Sequence, residues 1–136
     1  MGQIRILIVD DDRPARAALA AILRLEGFET CTAHDGFAAV DCARDFAPAV
    51  VLTDLMMPGM DGLELMRRLR ASGSAATVVL MTGWGELFRS NAAAENGVEW
   101  LTKPIDADEL VELVRRVVAR EWTGARRAES VLPTAV

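Results

Sequence analysis

Short apolar runs alternate along the chain with longer stretches in which apolar residues recur every three or four positions. Runs of this length, rich in Val, Ile and Leu, predict buried strands, and the longer stretches predict helices. The predicted strands are Ile4 to Val9, Glu29 to Ala33, Ala49 to Thr53, Thr77 to Met81, and Glu99 to Thr102. Repeated strand–helix units build a parallel sheet with helices on both faces. The pattern therefore predicts a doubly wound α/β fold with five strands.

Turn and capping residues mark where the helices begin and end. Pro14, with Asp12 before it as a candidate N-cap, favours a helix start. The predicted helices run from Pro14 to Gly27, from Asp35-Gly36 to about Phe46, from Gly62 to Arg70, through an Ala-rich stretch to Asn96-Gly97, and from a cap at Asp106 to about Arg120. The periodicity then stops. We therefore predict one domain over residues 1–120 and a tail or the start of a linker over 121–136.

Polar residues follow four of the five predicted strands. They are Asp10 and Asp11, Asp54, Thr82, and Lys103. The carboxyl ends of parallel strands share one edge of the sheet, and in the strand order 2-1-3-4-5 the three aspartates meet there. Each pair of carboxylates repels by about 4 kcal/mol at about 4 Å and an effective dielectric of about 20. Oxygen ligands with access to water favour a hard divalent cation, and Mg²⁺ is the natural choice.

This set of side chains has the parts needed for phosphoryl transfer. One carboxylate can attack phosphorus, a metal ion can neutralise the transferring oxygens, and Lys103 can supply a second positive charge. Each residue alone also has an ordinary explanation: Asp10 to Asp12 as helix caps, Thr82 as a turn residue, Lys103-Pro104 as a loop and Trp100 as a core aromatic. Their placement at one sheet edge favours the site.

Composition narrows the class of protein. The chain has 136 residues, 51% of them hydrophobic and 26% charged, which suits a globular domain better than a disordered one. No apolar run is long enough for a membrane span, and the N-terminus lacks the features of a signal peptide, so a cytoplasmic location is expected. The net charge of -5 argues against direct nucleic acid binding.

The two cysteines lack the spacing of a metal site. Cys31 and Cys42 form no CxxC pattern, and His34 is the one other soft ligand nearby. We interpret them as two ordinary thiols.

Four motifs carry a resemblance to a known family. The segments ILIVDDD, TDLMMPGMDG, VVLMTG and WLTKP occur in this order, and from Ile4 to Ala119 the chain resembles the receiver domains of two-component response regulators. The resemblance implies a flavodoxin-like (βα)5 fold. It also implies that Asp54 accepts a phosphoryl group from a histidine kinase or a histidine phosphotransfer protein. The domain would then be a phosphoacceptor with self-phosphorylation and self-dephosphorylation chemistry, and no enzyme in the usual sense.

The resemblance also assigns a metal site. Asp11 and Asp54 would bind Mg²⁺ directly, the backbone carbonyl of Met56 would be a third ligand, and Asp10 would act mainly through water. Met56 and Trp84 are bulky and apolar, and we hypothesise that they hinder the water that would hydrolyse the phosphoryl group.

The remaining implied roles concern the phosphoryl oxygens and the response to phosphorylation. Thr82 and Lys103 would each contact a phosphoryl oxygen, backbone N–H groups near Met56 and Gly83 would complete the cradle, and the Lys103-Pro104 peptide would be cis. Thr82 would couple to Trp100, although Tyr or Phe is more usual there. The output surface would lie on the fourth helix, fifth strand and fifth helix, roughly Glu86 to Arg120, and its target stays open.

Two other function classes compete with this interpretation. A phosphatase of the haloacid dehalogenase type would use Asp10 as nucleophile and Asp12 as acid and base, but Pro14 stands where Thr or Val belongs. Flavin binding is disfavoured because three adjacent carboxylates would repel a flavin phosphate. Within the receiver interpretation, both a free-standing module and a piece of a longer regulator or hybrid kinase stay open.

Overall fold

Five parallel strands form a single sheet in the order β2-β1-β3-β4-β5, as predicted. The computed structural model describes residues 3–83 and 98–134, and side chains only as far as residue 120. The strands are β1 (Arg5–Val9), β2 (Glu29–Ala33), β3 (Val50–Asp54), β4 (Thr77–Thr82) and β5 (Val98–Thr102). Helices cover both faces, so β3 is buried at every position.

Alternating strand residues build one core on each face of the sheet. Ile6 and Ile8 of β1 point to one side, and Leu7 and Val9 point to the other. The first core contains residues of the first and last helices, and the second contains residues of the helices between them. The sheet is therefore fixed from both sides, which holds its carboxyl edge in place.

Each helix in the described ranges begins with an aspartate cap. The helices are α1 (Arg13–Leu25), α2 (Gly36–Phe46), α3 (Gly62–Ala71) and the C-terminal helix (Ala107–Thr134). The side chains of Asp12, Asp35, Asp61 and Asp106 each accept a hydrogen bond from the backbone N–H three residues later. These helix starts lie at the carboxyl edge of the sheet, where their dipoles favour negative charge.

Most predicted boundaries differ from the structure by one or two residues, and three differences concern the site or the last helix. Asp54 and Thr82 are the last residues of β3 and β4, whereas the apolar pattern predicts that they follow the strands. The last helix continues to Thr134 and does not end near Arg120. Residues 121–134 contain two each of Ala, Arg and Glu, residue types that can extend an existing helix without an apolar stripe. The Ala-rich helix predicted to end at Asn96-Gly97 lies outside the described residues.

Among the helices in residues 3–83 and 98–134, none combines the length and the apolar character needed to cross a bilayer.

Candidate functional site

Three carboxylates meet at the carboxyl edge of the sheet. One oxygen from each of Asp10, Asp11 and Asp54 lies within 4.8 Å of the other two. The pairing of β1 with β3 causes this, because Val9 is the register partner of Thr53 and the next residues are Asp10 and Asp54. Asp10 is fully buried and Asp54 is 9% exposed, whereas Asp11 faces solvent. The predicted convergence of the three aspartates is confirmed.

Lys103 brings one positive charge into this cluster. Its Nζ lies 3.1 Å from Oδ1 of Asp54 and 3.5 Å from Oδ2 of Asp10. The backbone N–H of Lys103 donates to the carbonyl of Thr82 at 2.9 Å, which fixes the start of the loop after β5. Of the fifteen basic residues in the chain, Lys103 alone is a lysine. A compact ammonium on a flexible stem can move between a carboxylate and an incoming anion more easily than a guanidinium.

For both Asp54 and Lys103, burial and the charge of the salt-bridge partner shift the pKa in opposite directions. Burial raises the pKa of Asp54, Lys103 lowers it through a hydrogen bond and its charge, and Asp10 and Asp11 raise it, so the net direction is upward. Burial lowers the pKa of Lys103, but Asp54 and Asp10 outweigh that effect and the net direction is again upward. Lys103 therefore stays protonated at neutral pH, and it keeps Asp54 more readily ionised than burial alone would allow.

Asp10 is held by several groups, and Asp12 has a different role. Oδ1 of Asp10 accepts from the N–H of Asp12 at 2.9 Å, and its carbonyl accepts from Nη1 of Arg16 at 2.7 Å. Asp12 caps α1 by accepting from Ala15 at 3.2 Å. The capping explanation thus holds for Asp12 and not for the carboxylates of the cluster. The phosphatase alternative would need Asp12 as acid and base, and its cap geometry gives that role no support.

The segment after β3 returns to the end of the strand at Gly62, which packs closely against the backbone of Asp54. Gly62 donates to the carbonyl of Leu55 at 2.8 Å. A Cβ at Gly62 would lie 2.6 Å from the carbonyl oxygen of Asp54 and 2.7 Å from Cδ2 of Leu80, so no larger residue fits without a shift. Met56, the implied carbonyl ligand, has an exposed side chain. Its place among the metal ligands stays a prediction.

Sequence reasoning missed two contributors to this site, Arg16 and Gly62. The signal for Arg16 is its position in the first turn of α1 after the acidic run, within reach of the end of β1. The signal for Gly62 is a glycine at the first residue of a helix, where it costs conformational entropy. Neither signal says what the residue contacts.

Thr82 and Trp100 occupy the same face of neighbouring strands. Thr82 is buried at the end of β4, Leu80 is the register partner of Trp100, and residues two apart on a strand share a face. Trp100 is half-buried and packs against the core that contains Leu80. This placement is compatible with the predicted switch, which stays a prediction.

The Lys103-Pro104 peptide is cis, as predicted. Trp84 and much of the predicted output surface lie outside the described residues.

Curated relatives match most of this chain but only part of their own length. The regulatory protein AtoC of Escherichia coli is 38% identical over 115 residues, which is 84% of this chain and 25% of AtoC. The response regulator MprA of Mycobacterium bovis is 35% identical over 118 residues, which is 86% of this chain and 51% of MprA. The chain therefore spans a quarter to about half the length of these relatives.

Solved structures share the fold, and a family model covers most of the chain. The chemotaxis protein CheY4 of Vibrio cholerae has a TM-score of 0.79 and 26% identity, covering 85% of this chain and 99% of CheY4. NtrX of Brucella abortus, solved in complex with ATP, has a TM-score of 0.84 and 30% identity, covering 93% of this chain and 29% of NtrX. The model of the response regulator receiver domain matches residues 6–115. With its strand order and acidic cluster, the chain belongs to the receiver domain family of two-component response regulators.

Proposed function

We propose that this receiver domain accepts a phosphoryl group on Asp54, from a histidine kinase or a histidine phosphotransfer protein, with Mg²⁺ bound. The observation that carries the proposal is a nearly buried aspartate at the end of β3, paired with a lysine and flanked by two further carboxylates. Asp54 ends β3 at the carboxyl edge of the sheet, where the helix starts favour an anion.

The donor set at the acidic cluster fits Mg²⁺. All of its side-chain ligands are carboxylate oxygens, and three carboxylates against one ammonium leave a net negative charge. Asp11 and Asp54 would hold the ion, with the carbonyl of Met56, and Asp10 would contribute through water. When bound, the ion neutralises charge on the transferring oxygens.

The protein's own groups account for the transfer step. A carboxylate oxygen of Asp54 attacks phosphorus, the new P–O bond forms, and the P–N bond to the donor histidine breaks. The departing imidazole nitrogen keeps the bonding electrons and takes up a proton from solvent. Lys103 leaves its pairing with Asp54 and pairs with a phosphoryl oxygen, and the Thr82 hydroxyl donates to another.

After transfer, the phosphoryl group is expected to persist until water reaches phosphorus in line with the new bond. Met56 lies two residues beyond Asp54, and this residue is 57% exposed. We hypothesise that its bulk hinders water, so a smaller or polar residue there should shorten the lifetime of the phosphoryl group. The protein would thus act as a phosphoacceptor and switch, with output through roughly Glu86 to Arg120, and not as an enzyme acting on a separate substrate.

Labelling with acetyl phosphate tests the proposal. The protein is incubated with acetyl phosphate and Mg²⁺, and its intact mass is measured. We expect one added phosphoryl group on the wild type and none on Asp54→Asn or in the presence of a chelator. Asp61→Asn is the matched control, because Asn also caps helices, and it should be labelled like the wild type. Equal labelling of Asp54→Asn and the wild type would overturn the proposal.

A further inference from the structure

Arg16 reaches back from the first turn of α1 to the end of β1. Its Nη1 donates to the backbone carbonyl of Asp10 at 2.7 Å, and the residue is half-buried. The helix holds the backbone of Arg16 in place, because its N–H donates to the carbonyl of Asp12 at 3.0 Å. Among the residues that the structure describes, no carboxylate pairs with the Arg16 guanidinium. This long cationic side chain therefore holds one backbone carbonyl.

The carbonyl of Asp10 belongs to the peptide that leads into Asp11. A peptide group is planar, so a hydrogen bond to its carbonyl restrains the whole plane. The next peptide is held as well, because the N–H of Asp12 donates to Oδ1 of Asp10 at 2.9 Å. Both peptides that flank Asp11 are thus anchored. Because Asp11 is exposed, we attribute the placement of its carboxylate mainly to these two hydrogen bonds.

We propose that Arg16 is a positioning residue for the acidic cluster, which holds the backbone on either side of Asp11 so that its carboxylate is in place before Mg²⁺ binds. The proposal rests on one part of the proposed function, the binding of Mg²⁺ by these carboxylates. One oxygen of Asp11 already lies within 4.8 Å of an oxygen of each of the other two aspartates. Loss of a partner that orients metal ligands typically weakens metal binding by about 10–100-fold.

The charge of Arg16 and its hydrogen bond act in opposite directions on Mg²⁺ binding. A guanidinium beside the cluster repels a divalent cation, so removal of its charge alone tightens binding. Loss of the hydrogen bond frees the peptide before Asp11, so the carboxylate must be ordered when the ion binds, and binding weakens. The sign of the change in Kd therefore separates the two roles.

Titration of the unphosphorylated full chain with Mg²⁺ measures this sign. Binding is followed by the chemical shifts of the backbone amides in NMR spectra, which also show whether each variant is folded. Arg16→Met removes both the hydrogen bond and the charge, and we expect its Kd for Mg²⁺ to rise about tenfold. Arg16→Lys keeps a donor on a flexible stem, so its Kd should lie between those of Arg16→Met and the wild type.

Arg13 offers a matched control in the same turn of α1. It is exposed, and within the described part of the chain its side chain has no hydrogen-bond or ion-pair partner. Arg13→Met should bind Mg²⁺ as tightly as the wild type or more tightly, because only a repulsive charge is lost. If Arg16→Met does not fold, Arg16→Gln takes its place, since Gln has a shorter side chain and a similar helix propensity. The same increase in Kd is expected for it.

The Mg²⁺ dependence of labelling by acetyl phosphate gives a second readout. If Arg16 acts by placing the ligands, Arg16→Met needs about tenfold more Mg²⁺ to reach half of its maximal labelling rate, and that maximal rate stays close to the wild-type value. A purely structural defect lowers the maximal rate and leaves the Mg²⁺ requirement unchanged.

Three results would refute the role of Arg16: Mg²⁺ binding by Arg16→Met that is unchanged or tighter, an equal weakening in Arg13→Met, or a lower maximal rate with an unchanged Mg²⁺ requirement. A wild type that binds Mg²⁺ and is never labelled overturns the phosphoacceptor, and the binding titration still tests Arg16. Failure of the positioning role and failure of the phosphoacceptor are therefore separate results.

Discussion

Replacing Lys103 by methionine removes the positive charge and keeps an unbranched side chain of similar length. Nζ lies 3.1 Å from Asp54 and 3.5 Å from Asp10, so each attraction is about 5 kcal/mol at an effective dielectric of about 20. The Lys103 side chain is 33% exposed, and solvent reduces the net contribution well below this value. What remains still favours the ionised form of Asp54, which is the form that attacks phosphorus.

Two effects should follow from this substitution. The pKa of Asp54 should rise, because the group that lowers it is gone while burial, Asp10 and Asp11 still raise it. The transferring phosphoryl group should also lose a preorganised positive charge, and loss of one such group lowers rates by roughly 10²–10³-fold. The rate of labelling by acetyl phosphate should therefore fall by about that factor, and its rise with pH should move to higher pH.

The assay is the initial rate of phosphoryl incorporation, followed by intact mass from about pH 5 to about pH 9 at saturating Mg²⁺. Arg115→Met is the control, because Arg115 pairs with Glu26 on the surface at 2.7 Å, away from the acidic cluster. It should be labelled within about twofold of the wild type. If Lys103→Met also stays within twofold, with an unchanged pH profile, the pairing of Lys103 with Asp54 has no role in the transfer.

Three further predictions concern stability. Asp54→Asn should stabilise the protein increasingly as the pH rises from about 4 towards neutrality. The reason is that the folded-state pKa of Asp54 is raised from 3.8, so its ionised form disfavours the folded state. A difference in free energy of unfolding between variant and wild type that urea denaturation shows to be independent of pH would contradict this. Gly62→Ala should lower the free energy of unfolding by about 1–3 kcal/mol, because its Cβ would lie 2.6 Å from a backbone oxygen, and a urea titration matching the wild type would refute the contact. Mg²⁺ at about 100 times its Kd should stabilise the wild type by about 2.7 kcal/mol and raise its Tm. The Tm of Asp11→Asn should rise much less, because one ligand is lost. Equal increases of Tm in thermal melts of the two proteins would show that Asp11 is not a ligand.

The sheet and its strand order could be predicted because burial on both faces leaves a direct record in the sequence. The run from Ile6 to Val9 is apolar at every position, and each residue is fully buried. The bounds of β2 were predicted to the residue. The ends of β3 and β4 were not, because Asp54 and Thr82 stay in the strands through pairing with neighbours, and that pairing does not depend on hydrophobicity.

The candidate site was predictable in its composition and less so in its contacts. Asp10, Asp11 and Asp54 follow or end apolar strands, so their shared edge follows from the topology. The hydrogen bond from Arg16 to the carbonyl of Asp10 depends on how α1 leaves the sheet, which periodicity does not record.

Borohydride reduction of the phosphorylated protein tests most directly whether Asp54 carries the phosphoryl group. Borohydride converts an aspartyl phosphate to homoserine, and peptide mapping then locates the modified residue. We expect homoserine at position 54 alone, after treatment with acetyl phosphate and Mg²⁺. Homoserine at Asp10 or Asp11, or at no aspartate of a protein that has gained phosphoryl mass, would contradict it.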